Sequence, residues 1–383
     1  MAAIHLPRTI RIGGGTLNAL PEALAAGGLS RPLIVTDAWI AGCGILERVE
    51  GLLDAAGVAH RTFTGVVPDP TVDSIEAGCT FLAEGEHDCV IGLGGGSPID
   101  SAKMIAVKGL RQIRDLKAPH LEDNPALPVV AIPTTAGTGS EATRFTIITD
   151  TASDEKMLCV GLAYLPQIAI VDYELTLTKP ARLTADTGID SLVHAVEAYV
   201  SKRANPFSDS MALSAMRLIW PNLPLACADP GNRAAREALM LGALQAGIAF
   251  SNSSVALVHG MSRPIGAHFH VAHGLSNAML MPLVTGWSAP AALPRYADCA
   301  RAMGIADLDE SDQAAVGRLV EALEAINAEL SVPTPREYGI SKERWDELTP
   351  LMAEQALASG SPGNNPRVPE VSEIITLYRQ AWG

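Results

Sequence analysis

One carboxylate and three imidazoles form a set able to hold a divalent cation. Asp190 and His194 lie four residues apart in TADTGIDSLVHAVEAYV, and His259 and His273 follow in VHGMSRPIGAHFHVAHG. On a helix, a spacing of four puts two side chains on one face, one turn apart. The later stretch contains Pro264, Gly266 and Gly274, which are expected to break regular structure there. Ligands from separate stretches would tie them together and could leave a coordination position open for substrate. Singly, each residue also has an ordinary reading: Asp190 as a first-turn carboxylate, His194 as a surface histidine, His259 as a hydrogen-bonded core histidine after the apolar run 255–258. Clustering weighs against these readings, because five of the nine histidines (His194, His259, His268, His270 and His273) fall between 194 and 273.

A second chemistry sits earlier in the chain. Gly94, Gly95, Gly96, Ser97, Pro98, Ile99 and Asp100 follow the apolar run 90–93 and precede DSAKMIAV. A plain strand-to-helix turn needs one glycine; three in a row let backbone approach a ligand closely. Pro98 suits a first helical turn, and the N–H groups at that helix start would point at an anion such as a pyrophosphate. The pattern is not GxGxxG, so a standard Rossmann fingerprint is absent. A second loop, PTTAGTGSE, places Thr134, Thr135 and Thr138 after another apolar run. It could complete a nucleotide site or simply cap a helix. Asp37 ends RPLIVTD, where a carboxylate could accept from an adenosine ribose and repel a 2′-phosphate, or serve as a turn residue.

These groups need elements to hold them. RPLIVTD, HDCVIGLGGGS, ALPVVAIPTT and IAIVDYEL read as strands between helical patterns, which implies a largely parallel sheet flanked by helices. After Pro180 helical periodicity takes over. Ile189, Leu192, Val193, Val196 and Val200 make an apolar stripe, with Asp190, His194 and Glu197 as a polar stripe beside it. Further helices are expected across 207–220, 233–258, 275–286, 313–330 and 370–382. The expected organisation is an α/β dinucleotide-binding domain over 1–180 and an all-α metal-binding domain over 181–383. The formal charge of −14 argues against nucleic acid as a partner. No apolar run is long enough for a membrane span, and the N-terminus carries no secretory pattern. Six dispersed cysteines without a CxxC pair fit free thiols in a reducing cytoplasm.

The motifs GGGSPID (94–100), PTTAGTGSEAT (133–143), LTADTGIDSLVHAVEAYVS (183–201) and HGMSRPIGAHFHVAHGLSNAMLMP (259–282) together resemble the iron-containing (group III) alcohol dehydrogenases over nearly the whole chain. The resemblance implies the dehydroquinate synthase-like fold of that family, with its active site in the cleft between the two domains. It implies Asp190, His194, His259 and His273 as ligands of Fe²⁺, or of Zn²⁺ or another divalent ion. It implies a pyrophosphate loop at Gly94, Gly95, Gly96, Ser97 and Asp100, a second nucleotide loop at Thr134, Thr135 and Thr138, and NAD preference at Asp37. The expected reaction is hydride transfer between a small alcohol and NAD, with the metal as Lewis acid. A homodimer or larger homo-oligomer is expected from the same resemblance. One position departs from it: where many relatives carry a histidine four residues after the third ligand, this chain has Arg263. Arginine cannot act as a base near neutral pH, so the proton leaves through water, His270, His268 or the ribose hydroxyl, or the route is a different one. Arg263 either binds an anionic group on the substrate or turns away to pair with a surface carboxylate. Phe250 matches a position that lines the pocket in relatives, or is an ordinary core phenylalanine. A dehydroquinate synthase-like lyase and a non-catalytic nucleotide-binding protein are the competing readings.

Overall fold

The computed structural model describes residues 2–107, 111–124, 126–153 and 155–383. Contacts divide the chain into two compact units, His5–Thr178 and Lys179–Gly383, the second taking in the N-terminal residues up to Ile4.

The first unit alternates β1 (Thr9–Ile12), α1 (Leu20–Ala26), β2 (Pro32–Asp37), α2 (Ala38–Gly42), α3 (Ile45–Ala55), β3 (Arg61–Val66), α4 (Val72–Ala83), β4 (Cys89–Gly94) and α5 (Gly96–Val107). Then come β5 (Val129–Pro133), β6 (Phe145–Asp150), β7 (Glu155–Val160) and β8 (Ile168–Val171). Six strands form one parallel sheet in the order β1-β8-β5-β4-β2-β3; β6 and β7 pair separately as an antiparallel hairpin. The sheet is covered on both faces, which is why its central strands read as unbroken apolar runs. Side-chain alternation sorts them: Ile34, Ile91, Ile132 and Ile170 join one core, while Leu33, Val35, Val90 and Val129 join the other. From β2 the chain goes outward to β3 and then returns past β2 to β4. The β2/β4 boundary is therefore the topological switch point, where open α/β sheets bind ligands at the strand carboxyl ends. Asp37 ends β2 and the triple glycine ends β4. Sequence reading missed β1, β3 and the β6–β7 hairpin, whose partly exposed residues make weaker apolar runs.

Beneath that edge lies a buried charge cluster. The Lys103 ammonium, fully buried on α5, donates to Ser140 Oγ (2.8 Å), Thr143 O and Oγ1 (both 3.1 Å) and Phe145 O (2.8 Å). Asp100 lies 3.9 Å away and accepts from Ser140 Oγ (2.5 Å) and the Ile147 N–H (3.0 Å). A buried ammonium is tolerated only when its donors are used in this way. Burial lowers Lys103 to about 8, against the pull of Asp100 and Glu141.

The second unit consists of α6 (Ala181–Val200), α7 (Pro206–Ala228), α8 (Arg233–Ser251), α9 (Leu257–Phe269), α10 (His273–Ser288), α11 (Leu293–Ala302), α12 (Asp312–Glu329), α13 (Lys342–Ala358) and α14 (Val371–Ala381). From Thr184 onward α6 is buried at nearly every position, so its polar stripe faces the interior of the bundle. The structure corrects two expectations. The helix read across 233–258 ends at Ser251, where the Asn252 carbonyl accepts from Asn205 Nδ2, and α9 starts afresh at Leu257. Conversely, Pro264 and Gly266 do not break the chain. Proline removes one backbone donor, but α9 packs against α10 and α13, and Tyr378 Oη donates to Met261 O at 2.6 Å. Tertiary packing outweighs local propensity here.

Glu141 offers a pH test of the buried cluster in the first unit. Burial pushes its carboxyl up to about 7, with its own backbone N–H and Lys103 acting the other way. A folded-state value above the unfolded one gives stability that is complete below about pH 4.5 and lost as pH rises through about 7. Relative to wild type, Glu141→Gln is therefore expected to gain roughly 3 kcal/mol between pH 4 and 8. Urea denaturation across that range measures it; a pH-independent difference would show that Glu141 ionises normally in the fold.

Candidate metal centre and cofactor loops

Asp190, His194, His259 and His273 converge. Each offers one donor atom, and the four donors lie within 4.8 Å of one another. Asp190 Oδ1 stands 3.5 Å from His259 Nε2, 3.7 Å from His273 Nε2 and 3.9 Å from His194 Nε2. Four ligands about 2.1 Å from one ion stand roughly 3.4 Å apart in a tetrahedron, so a small contraction would close the set on a cation. One carboxylate with three imidazoles suits Fe²⁺ or Zn²⁺. Burial would raise Asp190, but His194, His273 and His259 hold it well below the usual carboxylate range. Burial likewise opposes charge on His259, yet the carboxylates of Asp190 and Glu197 keep it above its ordinary value. Both shifts describe a pocket that favours positive charge. Three ligand side chains are 3–6 % exposed and His273 is 35 % exposed, so solvent reaches the cluster on the His273 side.

Each ligand is held by its own surroundings. Spacing on α6 aligns Asp190 with His194, and the His194 ring lies stacked between Phe250 (4.3 Å) and His259 (4.5 Å). Phe250 thus orients a ligand ring. His273 opens α10, and the next residue must be glycine: a Cβ at Gly274 would stand 2.2 Å from the Asp186 carbonyl oxygen. That close approach brings α10 onto α6 beside Asp190. Two residues given no role by sequence complete the cluster. Asn277, one turn after His273, donates through Nδ2 to Asp190 Oδ1 at 2.6 Å. Glu197 accepts from His259 Nδ1 at 2.7 Å. The signal for Glu197 was its place on the polar stripe of an otherwise apolar helix; Asn277 lay only in the i+4 spacing from His273.

Arg263 follows His259 by one turn of α9. It is half-buried, and Nη1 donates to Ser361 Oγ at 3.0 Å. Among the described residues it makes no salt bridge, and its buried Nε has no hydrogen-bond partner. Of the two readings of Arg263, pairing with a surface carboxylate is not found among the described residues. His268 is engaged elsewhere, with Nε2 2.7 Å from Gln355 Oε1. His270 is exposed at the left-handed C-cap of α9 (φ 54°), outside the hydrogen bonds of the cluster.

The residues expected to bind the cofactor group near the switch point. Gly94 turns at φ 147°, and a Cβ there would meet Pro98 Cγ at 2.5 Å. At Gly96 a Cβ would meet Thr138 Cγ2 at 2.9 Å, and at Gly95 it would stand 3.4 Å from Thr135 Oγ1. The bare backbone of one loop therefore nests against the threonines of the other, and the Thr134 N–H donates to Gly94 O at 2.8 Å. Gly95, Gly96 and Ser97 are half-buried at the start of α5, where N–H groups favour a phosphate. Thr134 Oγ1 is buried without a hydrogen-bond partner among the described residues. This glycine cradle and spare hydroxyl fit a dinucleotide. Asp37 is half-buried and caps α2, with Oδ1 accepting from the Ile40 N–H at 2.9 Å. Asp100 differs from its expected role: its carboxylate is turned onto Ser140 and Ile147, bracing the loop from beneath.

Comparison with known proteins agrees with this geometry. The family model for iron-containing alcohol dehydrogenase matches residues 7–173, and that for the C-terminal part of the Fe-containing alcohol dehydrogenase family matches residues 184–382. Lactaldehyde reductase of Escherichia coli (strain K12) is 35% identical, with 98% of each chain covered. The crystal structure of a 1,3-propanediol oxidoreductase superposes with a TM-score of 0.95 at 34% identity, covering 100% of both chains. Sulfoacetaldehyde reductase from Bifidobacterium kashiwanohense, solved in complex with NAD⁺, gives a TM-score of 0.88 at 28% identity over 100% of this chain and 99% of that one. The lyase and non-catalytic readings fall away. The protein is a metal-dependent, NAD-linked oxidoreductase of alcohols and aldehydes, and the chain belongs to the iron-containing alcohol dehydrogenase family.

Proposed function

We propose that the substrate is a short aldehyde, or the matching alcohol, bearing a carboxylate, phosphonate or sulfonate that Arg263 binds. The observation that carries this reading is a guanidinium one turn from ligand His259 with no salt bridge among the described residues. Charge balance points the same way. Asp190 and Glu197 are the buried carboxylates at the cluster, and Asp186 is taken up by Arg182. A divalent cation would balance Asp190 and Glu197, leaving the charge of Arg263 for a ligand to neutralise. The likeness to sulfoacetaldehyde reductase, whose named substrate is an anionic aldehyde, supports it.

When bound, the metal would supply Lewis acidity toward the alcohol or carbonyl oxygen, and the nicotinamide would accept hydride from the alcohol as NAD⁺ or give it to the aldehyde as NADH. The protein's own part is positional. Asp190 and the three imidazoles fix the ion, and the open His273 side admits substrate. Arg263 anchors the far end of the substrate. The glycine loop and the Thr134, Thr135 and Thr138 loop would hold the pyrophosphate, and Asp37 would accept from the adenosine ribose. Asp37 also disfavours a 2′-phosphate by charge. The six unbridged cysteines support a cytoplasmic location, and no helix among the described residues is long and apolar enough to cross a membrane.

Self-association belongs to the same reading. β1 is a sheet edge, and its Ile12 is 42 % exposed. A second copy pairing there would cover that edge. Light scattering of the wild type should give at least twice the 40.1 kDa chain mass, and Ile12→Lys should lower it; a monomeric wild type refutes the point.

Arg263→Leu is expected to lower kcat/KM for anionic short aldehydes about 100-fold, the size of a lost charge-assisted hydrogen bond, and to leave neutral aldehydes of equal length within about threefold. An equal loss on both substrate types would refute the anionic-substrate reading. Asp37→Ser should raise kcat/KM with NADP relative to NAD at least roughly tenfold; an unchanged ratio would remove Asp37 from cofactor choice.

A further inference from the structure

We propose that Glu197 is a positioning residue of the metal centre, setting both the tautomer of His259 and the place of the helix that carries it. Glu197 is 3 % exposed, and its carboxylate accepts three hydrogen bonds. Oε2 takes the Ala256 N–H at 2.9 Å and His259 Nδ1 at 2.7 Å, while Oε1 takes the Val258 N–H at 2.6 Å.

Two consequences follow from those bonds. First, an ionised carboxylate only accepts, so Nδ1 of His259 carries the proton in this bond and Nε2 turns its lone pair to the ligand cluster, 3.5 Å from Asp190 Oδ1. Second, α9 has no cap of its own. The residue at its N-cap is Ala256, which has no side chain able to accept a hydrogen bond. Glu197 fills that place from another helix, putting negative charge at the start of α9 and anchoring the turn that holds His259. Because Glu197 also sits one turn beyond His194 on α6, one side chain links the two ligand-bearing helices.

The chemistry requires a carboxylate. Glutamine has one acceptor oxygen, and its amide nitrogen would face an N–H donor on one side or the other. With the nitrogen against Nδ1, the imidazole keeps its hydrogen bond only by moving its proton to Nε2, where it would block a metal; with the nitrogen against the Val258 N–H, the start of α9 loses its acceptor. Carboxylate partners of ligand histidines elsewhere tune metal affinity about 10–100-fold.

The test uses the full-length protein and Zn²⁺. Glu197→Gln is expected to fold, by circular dichroism, and to bind Zn²⁺ about 10–100-fold more weakly in competition with a chromogenic chelator. Tyr378→Phe is the control, because it removes the hydrogen bond to Met261 O from the same helix without touching a ligand. It should lower stability and leave Zn²⁺ affinity unchanged. Zn²⁺ affinity of Glu197→Gln within twofold of wild type would overturn the proposal, and so would an equal loss in Tyr378→Phe. Should Glu197→Gln fail to fold, proton NMR of the zinc-loaded wild type decides. A strongly downfield His259 Nδ1–H supports the assignment, and its absence refutes it.

Discussion

Two carboxylates buried in an apolar helical bundle set the terms for the second unit. Asp190 and Glu197 are 3 % exposed, and among the described residues neither makes a salt bridge to lysine or arginine. Burying an ionised carboxylate without compensation costs several kcal/mol. The compensation here is local: imidazoles around Asp190, backbone and imidazole N–H groups around Glu197, and an amide from Asn277. A site that concentrates negative charge and imidazole lone pairs in low dielectric is a cation site by construction. The helices follow from this, since α6 must be interior, α9 must start at Glu197 and α10 must come close enough at Gly274 for His273 to join.

The first unit solves the opposite electrostatic problem. On the proposed reading it presents positive potential to a pyrophosphate from loops that contain no lysine or arginine. Backbone N–H groups at the start of α5 meet that need, and glycines keep Cβ atoms out of the way. Rigidity comes from below, where the fully buried Lys103 binds Ser140 of the second loop and Thr143 and Phe145 just after it. Preorganised backbone donors are stronger than mobile side chains because they lose little entropy on binding. Asp100 serves that rigidity; directed at a pyrophosphate instead, its charge would repel the ligand.

Arg263 separates what a family shares from what one chain does. Metal ligands and glycine loops account for hydride transfer in general. A lone guanidinium one turn beyond a ligand adds a fixed charge that does not titrate near neutral pH. Its hydrogen bond to Ser361 fixes the side chain at one nitrogen and, among the described residues, leaves Nε without a hydrogen-bond partner.

Residue type and spacing alone were enough to select Asp190, His194, His259 and His273, because a helical repeat of four and a rare concentration of histidine are local facts of the chain. The four central strands of the parallel sheet, β2, β4, β5 and β8, were equally legible, since strands covered on both faces must be continuously apolar, whereas the edge strands β1 and β3 were not. The course of the chain between His259 and His273 was not legible: Pro264 and Gly266 argue for a break, and a helix persists there because neighbouring helices and Tyr378 hold it. Nor could sequence assign Glu197, Asn277 or the inward turn of Asp100. Their roles are hydrogen bonds between residues 40 to 87 positions apart, and only the packed fold decides which distant donor meets which acceptor.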